Sequence, residues 1–189
     1  RANTTADDNA ALGYDALTAN TTGASNTAVG SYALDANTTA SNNVAVGYAS
    51  LGANTTGANN TAVGMQALVL VSTGDNNTAV GYLAGDALTT GEGSVAIGKN
   101  ALSAASATSY NVAVGLDALA ATTGTGNTAL GQGALATNTS ASYNVGLGYS
   151  ALGNNTTGTD NVGVGYKALN ANTTASSNTA VGDLSLIHI

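Results

Sequence analysis

The sequence predicts an all-β protein, a parallel β-solenoid or β-roll of about eleven 17-residue coils. The first observation behind this prediction is a glycine, called here the reference glycine, that ends the string Asn-Thr-Ala-Val-Gly or a close variant. It recurs at Gly13, Gly30, Gly47, Gly64, Gly81, Gly98, Gly115, Gly131, Gly148, Gly165 and Gly182. Every interval is 17 residues except the 16 between Gly115 and Gly131. Repeats this short bury apolar surface by stacking on their neighbours.

The second observation is the three-residue pattern before each reference glycine. The residue directly before it is aliphatic, the residue three before is mostly Thr or Val, and the residue between them is Ala or Gly, as in Thr27-Ala28-Val29. A period of two predicts a strand. The third observation is that proline is absent, which suits a chain whose amides nearly all join a sheet.

An asparagine four residues before the reference glycine is expected to form a ladder. Stacked coils place these side chains roughly 4.8 Å apart, so that each amide can donate to the carbonyl oxygen of the next amide. Ser94 is the exception among the eleven copies. The predicted ladder consists of Asn9, Asn26, Asn43, Asn60, Asn77, Asn111, Asn127, Asn144, Asn161 and Asn178.

The rest of each coil is predicted to be a bend and a polar turn. A leucine follows four residues after ten of the eleven reference glycines and is expected to fill the coil interior. The turn then reads Asn-Thr-Thr, where Asn and Gly tolerate the left-handed backbone of a tight reversal. The residue missing from the short interval is expected in this turn. The same turns are also N-glycosylation acceptors, although turn chemistry alone explains the pattern: Asn3, Asn20, Asn37, Asn54, Asn138, Asn155 and Asn172.

Both faces of the strand are apolar, and this predicts an oligomer interface. If the valines fill the coil, a row of small residues lies outside as an apolar stripe that monomers seldom leave wet. This predicted interface consists of Ala28, Ala45, Ala62, Ala79, Ala96 and Ala113. In the competing arrangement, the alanines point inward against the leucines and the chain is a self-sufficient monomer with a Thr and Asn surface.

Composition excludes several function classes. Three Lys or Arg against ten Asp or Glu give a net charge of −7, which does not suit a nucleic-acid partner. No run approaches the roughly 20 apolar residues that span a bilayer, so we expect no membrane contact within this segment. The chain has no Cys, and its carboxylates are scattered along the repeat. We therefore predict a non-enzyme without catalytic, cofactor-binding or metal-binding residues.

Asp75 and Glu92 share a phase in neighbouring coils and could flank a cation. Solvated turn charges are the favoured interpretation. The domain assignment is one repeat domain over residues 1–183 and a non-repeat tail over residues 184–189. The tail letters Leu-Ser-Leu-Ile-His-Ile also result from translating a transposon end used in sequencing libraries. We interpret the tail, with the only histidine, His188, as an artefact of sequence assembly.

Two strings resemble head repeats of trimeric autotransporter adhesins: Asn43-Val44-Ala45-Val46-Gly47-Tyr48-Ala49-Ser50 and Ser94-Val95-Ala96-Ile97-Gly98-Lys99-Asn100-Ala101. The longer unit from Asn26 to Thr39 is also similar to repeats of phage tail-fibre proteins. The resemblance implies a left-handed parallel β-roll, a homotrimer, and an extracellular location on a cell surface or virion. It also implies an adhesive fibre that binds a host matrix or glycan receptor through a repetitive surface. The alternative function is an ice-binding β-solenoid, since stacked threonines can present regular hydroxyl arrays.

Overall fold

A computed structural model describes residues 5–188 and contains eleven three-residue strands. Each strand pairs in parallel with the strand of the next coil, so all eleven form one sheet in chain order and span about ten turns of a β-solenoid. Residues 5–188 contain no helix, hence none long and apolar enough to cross a membrane. The predicted fold class is confirmed. The strands are β1 Ala10–Leu12, β2 Thr27–Val29, β3 Val44–Val46, β4 Thr61–Val63, β5 Thr78–Val80, β6 Val95–Ile97, β7 Val112–Val114, β8 Thr128–Leu130, β9 Val145–Leu147, β10 Val162–Val164 and β11 Thr179–Val181.

Residues that stand at the same distance from their reference glycines, and so have the same phase in the repeat, pair with one another. Ala45 of β3 pairs with Ala62 of β4 in this way. The short interval keeps this register, because Val112 of β7 still pairs with Thr128 of β8. The side-chain amide of Asn111 donates to the carbonyl of Gly124, which lies 13 residues later in the chain. The equivalent bond in a regular coil, from Asn60 to Gly74, spans 14 residues. The missing residue is therefore in the polar turn, as predicted.

The reference glycines are required for two reasons. Their φ angles lie between 123° and 144°, a region that L residues rarely adopt. In addition, a Cβ built on Gly30 would lie 2.4 Å from the carbonyl oxygen of Gly47 in the next coil. A side chain at this position would prevent two coils from stacking.

The leucines four residues after the reference glycines lie in a bend and not in a strand. Their φ angles, as in Leu34, Leu51 and Leu119, are between 49° and 56°, which is left-handed and unusual for a bulky residue. The left-handed backbone costs roughly 1–2 kcal/mol per residue. Burying a leucine side chain gains about 1.5–3 kcal/mol. Since Leu34 to Leu169 are fully buried, burial offsets the strain.

The two faces of the strand are the reverse of the first expectation. The alanines predicted as an oligomer interface, Ala28, Ala45, Ala62, Ala79, Ala96 and Ala113, are buried inside the coil. The reason is the width of the coil. A Cβ on Gly146, in the alanine row, would already lie 3.2 Å from Cγ of Leu135, so only a methyl group or a hydrogen fits there. Valine, isoleucine and leucine instead face outward, and the interface prediction on the alanine row is wrong.

The first residues of the tail continue the path of the coil. Leu184 donates its N–H to the carbonyl of Tyr166, and the carbonyl of Ser185 accepts from Leu169. Leu184 and Leu186 have φ angles of 51° and 54°, the values of their phases in other coils. The described tail therefore adopts the local conformation of the repeat although its sequence differs.

Candidate functional site

The predicted asparagine ladder exists, but most of its bonds go to the backbone. We call it the strand row. The Oδ1 of Asn43 accepts the backbone N–H of Asn60 at 2.9 Å, and its Nδ2 donates to the carbonyl of Gly57 at 2.9 Å. Amide-to-amide bonds, the geometry expected from the sequence, occur in this row from Asn127 onward, for example Asn161 to Asn144 at 3.1 Å. Each asparagine side chain of the row from Asn9 to Asn161 thus satisfies a donor and an acceptor of the main chain.

Ser94 preserves half of this arrangement. Its hydroxyl oxygen accepts the N–H of Asn111 at 3.3 Å, while its own N–H donates to Asn77. It has no amide to reach the carbonyl of Thr108, the equivalent of Gly91 in the preceding coil. The row therefore remains connected through the one coil that lacks asparagine.

A second row of buried polar side chains was missed by the sequence analysis. We call it the turn row; it lies seven residues after the reference glycines. Asn37 donates to Oδ1 of Asn20 at 2.9 Å, and Asn54 donates to Oδ1 of Asn37 at 3.2 Å. The signal was present, because the same phase carries Val71, Leu88 and Ala105 in the middle coils. Aliphatic replacements mark an interior position.

The turn row corrects the glycosylation alternative for six of the predicted acceptors. The acceptor asparagines Asn20, Asn37, Asn54, Asn138, Asn155 and Asn172 are buried. Their Nδ2 atoms donate to main-chain carbonyls three residues on, at 2.8–3.1 Å. In the folded coil these amides are not accessible for modification. Asn3, which belongs to the same predicted set, is outside the described residues.

The residue after the turn row forms a third stack, which we call the hydroxyl row. The Thr38 hydroxyl donates to the carbonyl of Thr55 at 3.1 Å, and Ser72 donates to Thr89 at 3.2 Å in the same way. These hydroxyls bond across coils, because each donates to a carbonyl of the next coil and not within its own turn. Their protons are consequently engaged within the solenoid.

The outward side of the sheet is an exposed apolar feature that continues over the stacked strands. Its central row, which we call the aliphatic row, directly precedes the reference glycines. Six of its members are 36–45% exposed: Val46, Val63, Val80, Ile97, Leu130 and Leu147. Beside it lies the row of Thr27, Val44, Thr61 and their equivalents, which is half-buried. These two rows form the outward sheet face, and they carry no charge between Ala10 and Val181.

Tyrosines flank the aliphatic row near both ends. Tyr14, Tyr32 and Tyr48 meet edge to face, with ring centroids 5.5 and 5.9 Å apart. Tyr149 and Tyr166 are stacked at 5.4 Å. Lys167 places its Nζ 5.3 Å from the ring centre of Tyr166. Such aromatic pairs contribute on the order of 1 kcal/mol each beyond burial. The contacts therefore help to hold these exposed tyrosine rings in place.

The carboxylates act within the turns. Asp75 accepts the N–H of Ala58 at 2.6 Å, and Glu92 accepts the hydroxyl of Tyr110. Burial raises the pKa of Asp35 and of Asp86 above the usual range, against opposing hydrogen bonds from nearby backbone N–H groups. In the part of the chain that the structure describes, no three His, Asp or Glu side chains gather into a group that could hold a metal ion.

No protein-family model, no curated protein and no solved structure matches the chain.

Proposed function

We propose that this chain is a structural and adhesive segment of a fibre, exposed outside the cell or on a phage tail, in which copies of the chain pack side by side. The observation that carries the proposal is the outward sheet face. It is regular, uncharged and continuous over the stacked strands, and its aliphatic row remains partly exposed in the single chain. A contiguous apolar surface of this kind is typical of a protein interface.

A second copy of the chain is the occupant that suits this face. The strands repeat in register, so the rows of neighbouring copies can run side by side along the whole length of the face. The number of copies comes from the resemblance of the repeat to adhesin heads, which favours a closed threefold bundle. Closed symmetry leaves no face uncovered. The homotrimer therefore stays part of the proposal, with the aliphatic row replacing the alanine row as its interface.

Light scattering on a charged pair tests this interface. We expect the wild-type chain to be a trimer at micromolar concentration and Val80→Glu with Ile97→Glu to be a folded monomer. The matched control is Thr73→Glu with Thr90→Glu, which adds the same charge to exposed turns of neighbouring coils and should remain trimeric. A monomeric wild type contradicts the proposal. The buried Ala96 and Ala113 are unsuitable probes, because a charge there would disrupt the coil itself.

The alternative function, ice binding, is favoured by one observation. Thr61 and Thr78 of β4 and β5 are paired in register on the outward sheet face, each beside a valine of the same strand. Against it, the row continues as Val95 and Val112, and the hydroxyl row donates to main-chain carbonyls. Thermal hysteresis of the purified chain that disappears in Thr61→Leu with Thr78→Leu would replace the fibre proposal.

A further inference from the structure

The position five residues before the reference glycine has a left-handed backbone in every coil. Its φ angles range from 57° to 67°. Seven coils place Asn, Asp or Ser there and two place Gly, the residue types that adopt this conformation most readily or hydrogen-bond locally within it. The other two coils place Tyr110 and Tyr143 there, both with a φ angle of 61°. A bulky aromatic residue in this conformation is an outlier that requires a reason.

Burial does not supply that reason. The interior leucines also have left-handed backbones, but they are fully buried. Tyr110 and Tyr143 are 62% and 64% exposed. The strain at these two positions is therefore not offset by the core, and the rings are presented to solvent.

A glycine lies beneath each ring. A Cβ on Gly93 would be 2.9 Å from Cδ1 of Tyr110, and a Cβ on Gly126 would be 2.9 Å from Cδ1 of Tyr143. The phase thus reads Gly, Tyr, Gly, Tyr over four consecutive coils. Each ring packs on bare backbone of the coil before it, which holds the ring at a defined place. The Tyr110 hydroxyl donates to Glu92 and fixes that ring further.

We propose that Tyr110 and Tyr143 form a two-ring platform that binds an extended, neutral oligosaccharide along the solenoid axis. The proposal rests on the adhesive function above, because it names the ligand class of the same fibre. Pyranose rings have apolar C–H faces that pack on aromatic rings, while their hydroxyl edges remain in contact with water and polar side chains. Tyr143 lies two coils after Tyr110, with one coil between them, so the rings are roughly 10 Å apart. That spacing is comparable with one disaccharide unit of an extended β-linked chain.

Charge selects against anionic glycans. Glu92 lies beside Tyr110, and Asp160 occupies the equivalent position one coil after Tyr143. The chain has a net charge of −7. Sulfated or carboxylated sugars would be repelled along this line, whereas neutral hexoses and N-acetylated amino sugars would not.

The binding test uses cellohexaose and chitohexaose as neutral probes and a heparin hexasaccharide as the anionic probe, in calorimetric titrations of the whole chain. We expect a neutral probe to bind and heparin not to bind. Tyr110→Asn and Tyr143→Asn should each weaken binding about tenfold, and the pair should abolish it. Asparagine is chosen because the repeat uses it at this phase in Asn42, Asn59 and Asn76, so the coils should stay folded.

The matched control is Tyr82→Asn, which removes an exposed tyrosine from another phase and should leave the affinity unchanged. A second test uses a variant that is designed to bind more tightly. Asn59→Gly with Asn76→Tyr adds a third ring two coils before Tyr110, with a new glycine beneath it. This variant should bind a hexasaccharide more tightly than the wild type, with little change for a disaccharide.

Several results would overturn the platform. They are the absence of binding to both neutral probes, binding that the tyrosine variants do not change, and preferential binding of heparin. A change in oligomeric state in Tyr110→Asn or Tyr143→Asn would assign the rings to contacts between copies and also overturn it. Light scattering on the same samples reports the side-by-side association independently, so failure of the platform and failure of the fibre proposal are distinguishable.

Discussion

The two asparagine rows of the solenoid look alike in sequence but differ in what their amides bind. In the strand row, Asn60 accepts the N–H of Asn77 and donates to the carbonyl of Gly74. In the turn row, Asn54 donates to Asn37 and to the carbonyl of Gly57, which Asn43 of the strand row already satisfies. In the strand row, the amide oxygen and the amide nitrogen thus both bond to the main chain. In the turn row, the amide oxygens of Asn20 and Asn37 accept from the next amide of the same row.

This difference explains which row tolerates apolar residues. Val71, Leu88 and Ala105 interrupt the turn row, and the carbonyls of Gly74 and Gly91 remain bonded to Asn60 and Asn77. The interruption leaves Oδ1 of Asn54 buried without a hydrogen-bond partner. The strand row is replaced only by Ser94, which still accepts an N–H. The turn row thus tolerates a buried side-chain oxygen without a partner, whereas the residue that replaces asparagine in the strand row still accepts the main-chain N–H of the next coil.

The largest expected effect separates the two rows directly. Asn60→Ala should reduce the free energy of unfolding by about 2–6 kcal/mol, because it orphans the Asn77 N–H and the Gly74 carbonyl at roughly 1–3 kcal/mol each. Asn54→Ala should cost less, since it orphans only Oδ1 of Asn37 and removes an oxygen that has no partner. Both variants delete the same amide from a buried site, so chemical denaturation compares them on equal terms. Equal losses would show that the rows are energetically equivalent.

The next test concerns the apolar interruption. Gly85 replaces the interior leucine of its coil, and Leu88 three residues later occupies the turn-row position. A Cβ on Gly85 would lie 3.3 Å from Cδ1 of Leu88 and 2.8 Å from Cδ2 of Leu68. The coil has therefore moved its leucine from one position to the other. Leu88→Asn alone should lose about 2–5 kcal/mol of stability, as cavity-forming changes do.

Gly85→Leu alone should also destabilise, through overlap with Leu68 and Leu88. The double variant restores the pattern of the regular coils and should recover most of both losses. A double-mutant cycle from thermal melts measures this coupling. Additive losses would contradict the exchange of positions.

The smallest expected effect comes from the charge beside the interruption. Oδ1 of Asp86 is buried without a hydrogen-bond partner, and burial raises the pKa of this carboxyl. The folded state then binds a proton more tightly than the unfolded state. The ionised carboxylate therefore lowers the stability of the wild type at pH values above the raised pKa. This loss of stability disappears as the pH falls below the ordinary Asp pKa near 4.

Asp86→Asn should consequently raise the melting temperature at pH 7 and change it little at pH 3. Asp86→Ala serves as the control, because it removes the charge without adding an amide and should show the same trend with pH. A melting difference that is the same at both pH values would argue against the charge as its cause.

The repeat made the fold and the strand row predictable. A fixed period, a strand of alternating residues and a phase-locked asparagine are local signals, and each coil contacts only its neighbours. The direction of the strand faces was not predictable in the same way. Both faces are apolar, and the choice depends on the space that Leu135 and its equivalents leave inside the coil. Valine is the more hydrophobic residue and was expected inside the coil. The space beside the leucines admits only the smaller side chain of alanine.

The turn row was missed for a related reason. Asn-Thr-Thr is a good turn sequence in isolation, and only the aliphatic residues at Val71, Leu88 and Ala105 indicate an interior position. The proposed platform of Tyr110 and Tyr143 could not be predicted from sequence either. It depends on a left-handed backbone at each tyrosine and on a glycine beneath the ring in the preceding coil.

Equal-phase pairing along the whole sheet has a genetic consequence. Because every strand pairs with residues at the same position of the neighbouring repeats, recombination between two similar repeats can remove or duplicate a whole coil while keeping the register of the sheet. The short interval before Gly131 shows that even a single-residue loss is absorbed in a turn. The reach of such a rod is thus heritable in steps of roughly 4.8 Å, independently of what its surface binds.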